Sequence, residues 1–196
     1  MVFVDTGCGG AIVGEMWVLT AAHCIEKADP KYVHVGSIEL LGGCQYSVVN
    51  SYSHPRYASV TLRYDIALLK ISPSFIFSPA VKPIRMSKTR VRRKTCGIIS
   101  GWGTDTYKGR PRYRLQMTMI PVVGRRRCRM FGIKKGQFCA GYRDGSSDAC
   151  QGDSGGPFVV NGILVGIISY GYKCAIPNAP GVYIDISYYR KWIRYI

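Results

Sequence analysis

An all-β fold, barrel or sandwich, is what this sequence predicts, and three observations predict it. Short runs rich in Val, Ile, Leu and Tyr recur from one end of the chain to the other. Clusters of Gly, Pro, Asn and Ser separate them, drawn from 23 Gly and 10 Pro in 196 residues. Only the extreme C-terminus shows a clear helical period. The length suits one domain, or two halves sharing a core. A hydrophobic fraction of 47% supplies that core and argues against a disordered tail or a coiled coil. No apolar run reaches about 18 residues, so no membrane span is expected. The opening Met1–Asp5 has neither a basic region nor a long apolar stretch, so it does not read as a secretion signal.

In chain order, strands are predicted at Ala11–Val13, Trp17–Thr20, Tyr32–Val35, Tyr46–Val49 and Ile66–Ile71. A second set follows at Gly97–Ser100, Gln116–Ile120, Gly156–Val160, Ile163–Ile168 and Gly181–Ile184. The stretch Ser72–Lys94, rich in Pro, Ser and basic residues, divides the two sets and reads as a connection between β-halves. Two segments read as helical. Ser187 is the expected cap of a last helix in which Tyr189, Trp192, Ile193 and Ile196 share one face. A short basic one is expected around Gly124–Met130. No repeat of fixed period is present.

The charge is uneven. The chain holds 27 Lys and Arg against 11 Asp and Glu, a formal +16. Between Lys82 and Lys135 there are 17 basic residues and one acid, Asp105, so this stretch carries the whole excess. Such a field attracts polyanions, or is simply a solvated basic face. Eight cysteines, an even count, suggest disulfides and an oxidising compartment. No C-x-x-C pair occurs, and His23 is the one histidine beside a cysteine, so no metal site is expected.

The chemistry begins at Asp148-Ala-Cys-Gln-Gly-Asp-Ser-Gly-Gly-Pro157. Glycines around Ser154 allow a tight turn, a close approach of substrate, and N–H groups converging on a developing oxyanion. A glycine-rich loop with a serine is commonly just a turn, but ten specified residues with this cysteine are much less so. A serine hydroxyl needs a base. His34 alternates with valines and reads as a surface position, while His54 precedes Pro55 and reads as a turn. His23, in Val18-Leu-Thr-Ala-Ala-His-Cys24, ends an apolar strand beside a cysteine that can pin it. Asp65 enters the apolar run Ile66–Leu69, where a buried carboxylate requires a partner. The order is His, Asp, Ser.

These segments resemble the trypsin-like serine proteases of the chymotrypsin family. The matching stretches are Cys8–Gly10, Thr20–Cys24, Asp65–Leu69, Ser100–Thr104, Gly152–Pro157, Ser169–Gly171 and Pro180–Tyr183, in the family's order and across nearly the whole chain. The resemblance implies an all-β fold of two six-stranded antiparallel β-barrels with a C-terminal helix. The divisions expected are an N-terminal barrel over 1–75, a connection over 76–94, a second barrel over 95–186 and the helix over 187–196. The first strand is expected to be missing or truncated, because Met1 stands so close before Cys8.

The family roles carry over residue by residue. Ser154 is the implied nucleophile, His23 the general base and then acid, and Asp65 the residue holding the imidazole. The N–H groups of Gly152 and Ser154 form the implied oxyanion hole. Asp148, six residues before the nucleophile, lies at the implied base of the S1 pocket and favours Arg or Lys before the cleaved bond. Ser169, Tyr170, Gly171 and Gly181 form the implied pocket walls; Tyr170 stands where the family most often has Trp. The implied disulfides are Cys8–Cys24, Cys128–Cys139 and Cys150–Cys174. Cys96 matches a family cysteine whose usual partner is replaced by Val160, and Cys44 has no family counterpart, so these two pair with each other, pair elsewhere, or are free. Ser37–Tyr46 corresponds to a calcium loop of some relatives but holds only Glu39, so no calcium is expected.

In the family a released apolar N-terminus pairs with the Asp before the nucleophile, here Asp153. No such segment precedes Cys8, so Asp153 is expected to turn to water or another donor. The family's fold also lets Arg125–Arg129 lie near Arg190, Lys191 and Arg194.

The resulting expectation is a secreted serine endopeptidase cutting after Arg or Lys through an acyl-enzyme, with no cofactor. The implied partners are peptide or protein substrates, protease inhibitors and a heparin-like polyanion, with no specific nucleic acid. The alternative is a catalytically silent protease-like protein that binds polyanions or proteins.

Overall fold

The computed structural model describes residues 1–26 and 28–196. Six strands form the first barrel: β1 Val2–Val4, β2 Cys8–Gly14, β3 Trp17–Thr20, β4 Tyr32–Val35, β5 Cys44–Ser53 and β6 Ala67–Ser72. They close in the order β1-β2-β3-β6-β5-β4, all antiparallel. The strand expected to be missing or truncated is the three-residue β1, which closes the ring by pairing Val2 with Gly10 on one side and Val35 on the other. The period of two explains the inside. Val2, Val4, Val33 and Val35 are buried, while Phe3, Tyr32 and His34 between them face outward.

The second barrel is built from β8 Cys96–Gly101, β9 Gln116–Val123, β10 Gln137–Ala140, β11 Pro157–Val160, β12 Ile163–Tyr170 and β13 Gly181–Asp185. These close antiparallel as β8-β9-β10-β13-β12-β11. Between the barrels in sequence, the two-residue β7, Arg85–Met86, lies parallel to β12.

β12 explains how the halves meet. Its run Leu164–Ile168 is apolar on both faces, as a strand buried on both sides must be. Val165 and Ile168 face the core of the second barrel with Phe138, Phe158 and Tyr183. Leu164 and Ile167 face away, into a cluster shared with Ala11, Leu19, Ile66 and Leu68 of the first barrel. A bulge makes this phase possible: Leu164 pairs with Val159 but Gly166 with Phe158, which shifts the alternation by one residue.

A four-residue helix, α1, covers His23–Glu26, where the sequence suggests only a strand end. The last helix, α2, is Ile186–Ile193. Its cap is Asp185, not Ser187: the Asp185 carboxylate accepts the Ser187 N–H at 3.0 Å and the Ser187 hydroxyl at 2.7 Å. Ile186, Tyr189 and Ile193 seal the layer between the barrels, whereas Ile196 lies past the helix and is exposed. The basic segment yields one 3-10 turn at Arg129–Phe131.

Candidate active site

His23 begins α1, directly after the buried turn Ala21–Ala22. Cys24 is bridged to Cys8 of β2, so the helix carrying the imidazole is tied to the barrel wall. Asp65 sits just before β6, after two residues in the left-handed region, Leu62 at φ 47° and Tyr64 at φ 54°. It is wholly buried, and a buried carboxylate must be saturated with donors. It is: Oδ1 accepts the His23 backbone N–H at 2.9 Å, and Oδ2 lies 2.8 Å from His23 Nδ1 and accepts the Ser169 hydroxyl at 2.5 Å. An ionised carboxylate only accepts, so Nδ1 is the ring nitrogen that donates to Asp65, and Nε2 is the nitrogen left for proton transfer. Cys8 and Cys24 crowd His23, but their sulfurs are joined to each other, which leaves no thiolate for a metal.

The Ser154 loop comes from the second barrel and is clamped onto the first. The Gly9 N–H donates to the Ser154 carbonyl at 2.7 Å, and Gly155 donates to Ile168 at 2.8 Å. This approach requires glycine. A Cβ on Gly155, at φ 76°, would stand 2.2 Å from Thr20 Oγ1, and one on Gly9 would stand 2.9 Å from the Gly156 Cα. Thr20 Oγ1 in turn donates to Gly9 O at 2.8 Å.

One cleft of about 610 Å³ gathers His23, Gly152 and Ser154 with Asp148, Ser169, Tyr170, Gly171 and Gly181. Asp148 accepts the Ala149 N–H at 2.8 Å and the Ala175 N–H at 3.1 Å. Burial pushes its pKa up to about 6; the two N–H groups oppose that shift, and the charge of nearby Asp153 adds to it. A Cβ on Gly181 would stand 3.2 Å from Asp148 Oδ1, so only glycine leaves this wall open to the carboxylate. Tyr170 is half-buried and meets Phe131 edge-on, with ring centroids 5.8 Å apart.

Asp153 takes backbone donors. Gly103 N–H reaches Oδ1 and Cys150 N–H reaches Oδ2, each at 2.9 Å. Burial raises its pKa and these two bonds oppose the rise. A neighbouring cavity of about 230 Å³ is lined by both Asp153 and Asp148. The three implied disulfides are present, and Cys44 and Cys96 are unbridged and exposed. Glu39 accepts the Tyr113 hydroxyl at 3.0 Å. His34 is half-buried rather than a free surface residue, and its Nδ1 is buried without a partner among the described residues. His54 stacks on Tyr64 with centroids 4.9 Å apart, away from the cleft lining.

Part of the site escapes sequence reasoning. The family resemblance places Ser169 in a pocket wall; it lines the cleft, but its hydroxyl belongs to Asp65, across the barrel interface. Tyr183 also lines the cleft, and its buried hydroxyl has no partner among the described residues. Its signal is present in the sequence: a tyrosine alternating with buried Val182 and Ile184 in a strand that begins at Gly181. Tyr107 and Lys173 also line the cleft, from loops that carry no local pattern.

The trypsin family model matches residues 1–193. The chain belongs to the trypsin family of serine proteases. Family members similar to it include Trypsin 5G1 of Aedes aegypti, 35% identical over 95% of this chain and 74% of that protein. Trypsin-2 of Salmo salar is 35% identical over 95% of this chain and 83% of its own length. The trypsin of Simulium vittatum is 38% identical over 90% and 75%. Among solved structures, neuropsin, a serine protease expressed in the limbic system of mouse brain, superposes with a TM-score of 0.90 at 35% identity, over 99% of this chain and 91% of that one. Trypsin-family membership and the two-barrel architecture therefore agree.

Proposed function

We propose that this chain is a serine endopeptidase that hydrolyses peptide bonds after Arg or Lys through an acyl-enzyme. The observation that carries this reading is one cleft holding Ser154, a histidine oriented by a saturated buried carboxylate, and a second carboxylate, Asp148. Ser154 Oγ attacks the scissile carbonyl carbon while His23 Nε2 takes its proton. The carbonyl oxygen becomes an oxyanion, received by the N–H groups of Gly152 and Ser154. His23 then returns the proton to the leaving amine, and water repeats the sequence on the acyl-enzyme. Asp65, with its three donors, keeps Nδ1 protonated and stabilises the imidazolium. Asp148 supplies the charge a guanidinium or ammonium needs when it leaves water. Inhibitors presenting Lys or Arg on an exposed loop fit the same pocket. Three disulfides suit an oxidising, extracellular setting.

A fluorophosphonate tests the reading. Ser154 Oγ should displace fluoride from phosphorus, adding one label per chain at Ser154 and none in Ser154→Ala. A folded chain that stays unlabelled at every pH would turn the assignment to the silent binding protein.

The raised pKa of Asp148 gives a pH dependence with a definite sign. In the empty pocket the carboxylate is ionised above about 6 and becomes neutral below it. A bound cation favours the ionised form, so affinity is full above that value and falls as pH drops through it. Binding of benzamidine, a planar amidinium, should weaken roughly 10²-fold from pH 7 to pH 4, about tenfold for each step of one in pH below 6. Equilibrium binding is the readout, because it isolates recognition of the cation from the proton transfers of turnover. Asp148→Asn should bind weakly and show no such slope; an equally flat wild-type curve would remove Asp148 from the pocket's chemistry.

A further inference from the structure

A second concave site lies outside the catalytic cleft, and the two share no lining residue. It is a groove of about 770 Å³ whose lining includes Arg93, Lys94, Arg126, Arg127 and Arg143, with no carboxylate among the lining residues. Three chain segments bring these side chains together. Lys94 precedes β8, its N–H donating to Val122 O of β9 at 2.8 Å. Arg126 and Arg127 follow the end of β9, and Arg143 comes from the loop after β10, where its carbonyl accepts the Asn178 N–H at 2.9 Å. The basic segment thus gathers with Arg93, Lys94 and Arg143 round this groove, rather than only facing α2 as the family's fold suggests.

The groove is built as a receptor for negative charge. Arg127 is half-buried, and its Nη2 is enclosed without a hydrogen-bond partner among the described residues, so this guanidinium lines the groove with no carboxylate to offset its charge. Arg93 lies across the backbone of Gly124: a Cβ there would stand 3.5 Å from Arg93 Nε. Lys94 holds φ 69°, a left-handed backbone that costs a non-glycine residue energy. An acid does stand close by. Asp144 borders the shallower depression next door, with Tyr142, but its carboxylate accepts the Ser146 N–H at 3.0 Å along its own loop. Five like charges lining one concavity repel each other, and an oxyanion relieves that repulsion.

We propose that this groove binds a sulfated glycan chain. Sulfates match the forked donors of arginine, and repeated anions on one polymer engage several arginines at once. No aromatic side chain lines the groove to stack a nucleic-acid base, and its concave form does not suit a flat lipid surface. The oxidising compartment implied by the disulfides is also where such glycans are displayed. Because the groove is separate from the cleft, a bound glycan leaves Ser154 accessible and anchors the protease while it works. The binding itself does not depend on the catalytic reading.

The test compares two triple variants with equal loss of charge. Arg93→Gln/Arg126→Gln/Arg143→Gln removes three of the groove's four exposed cations and leaves Lys94; Lys134→Gln/Lys191→Gln/Arg194→Gln removes three exposed charges elsewhere. Affinity for a size-defined heparin oligosaccharide is measured across a salt series. The groove variant should lose at least about tenfold near 0.15 M salt, and its slope of log K against log salt should fall by about three, near one per cation removed. The control variant should change by less than about threefold. Desulfated oligosaccharide should not bind, and a single-stranded oligonucleotide of equal charge should bind more weakly. Equal losses in the two variants would reduce the effect to a diffuse field, and equal or tighter binding of the oligonucleotide would overturn the glycan. On the unmutated chain, bound oligosaccharide should shield Arg93, Arg126 and Arg143, but not Arg194, from an arginine-modifying dicarbonyl. Uniform reactivity would refute the site without any variant.

Discussion

Exchanging Asp65 for Asn is expected to lower kcat on an Arg-containing ester by about 10⁴, the scale established for this type of triad rather than one set by these distances. The direction follows from the bonds. Asp65 is buried and offers only acceptors to the His23 N–H, the His23 Nδ1–H and the Ser169 hydroxyl. Asn has one acceptor oxygen and one NH₂ in nearly the same volume. Its oxygen can serve His23 N–H, but its NH₂ then faces Nδ1 and Ser169. Nδ1 must accept, so the ring proton moves to Nε2, and Nε2 can no longer take a proton from Ser154. The imidazolium formed during attack also loses its counter-charge. Asp148 and its two N–H partners are untouched, so benzamidine affinity should stay within about twofold, while kcat falls. A variant that binds benzamidine normally and retains wild-type kcat would show that Asp65 does not orient the base.

The local chemistry of this site is legible in the sequence because it is carried by contiguous residues. The Ser154 loop, the Thr20–Cys24 turn and the Asp65 entry each announce themselves within ten residues, and the implied roles fall in one cleft apart from buried Asp65 and the neighbouring Asp153. What the sequence does not show depends on contacts between the barrels. The Ser169 hydroxyl meets Asp65 across 104 positions of chain, and nothing local distinguishes it from any polar residue ending a strand. The strands without a sequence signal lack one for related reasons. β7 has two residues, too few for a period. All four residues of β10 are buried, including Gln137, whose amide donates to the distant Leu62 carbonyl, so alternation never appears. The cap of α2 is displaced by two residues from its expected place because Asp185 and Ser187 are both capping residues, and only the geometry shows which accepts. The groove beneath Arg127 is visible in the sequence as charge, but its concavity comes from three segments that meet only in the folded chain.

Replacing Asp148 by Ser is expected to abolish the preference for Arg and Lys, with kcat/KM on an Arg ester falling about 30-fold to several thousand-fold. That range corresponds to roughly 2–5 kcal/mol for a buried charge pair left with one partner. The energetics are asymmetric. In the wild-type chain the carboxylate is already strained by burial, which is why its pKa stands at about 6, and an incoming guanidinium relieves it. In the variant the same guanidinium leaves water for a pocket with no carboxylate at position 148, where the N–H groups of Ala149 and Ala175 have lost their acceptor and present donors that repel a cation. A Phe or Leu side chain meets the reverse situation: it no longer has to desolvate a carboxylate, so its kcat/KM should hold or rise. The loss should therefore appear as a crossing of two specificity curves and not as a general decline. The rate of fluorophosphonate labelling at Ser154 is the control, since that reagent needs the nucleophile and base but no cation in the pocket. Unchanged labelling with lost Arg preference places the effect in recognition. Retained Arg preference with unchanged labelling would mean that another group neutralises the substrate cation, and Asp148 would lose its assignment.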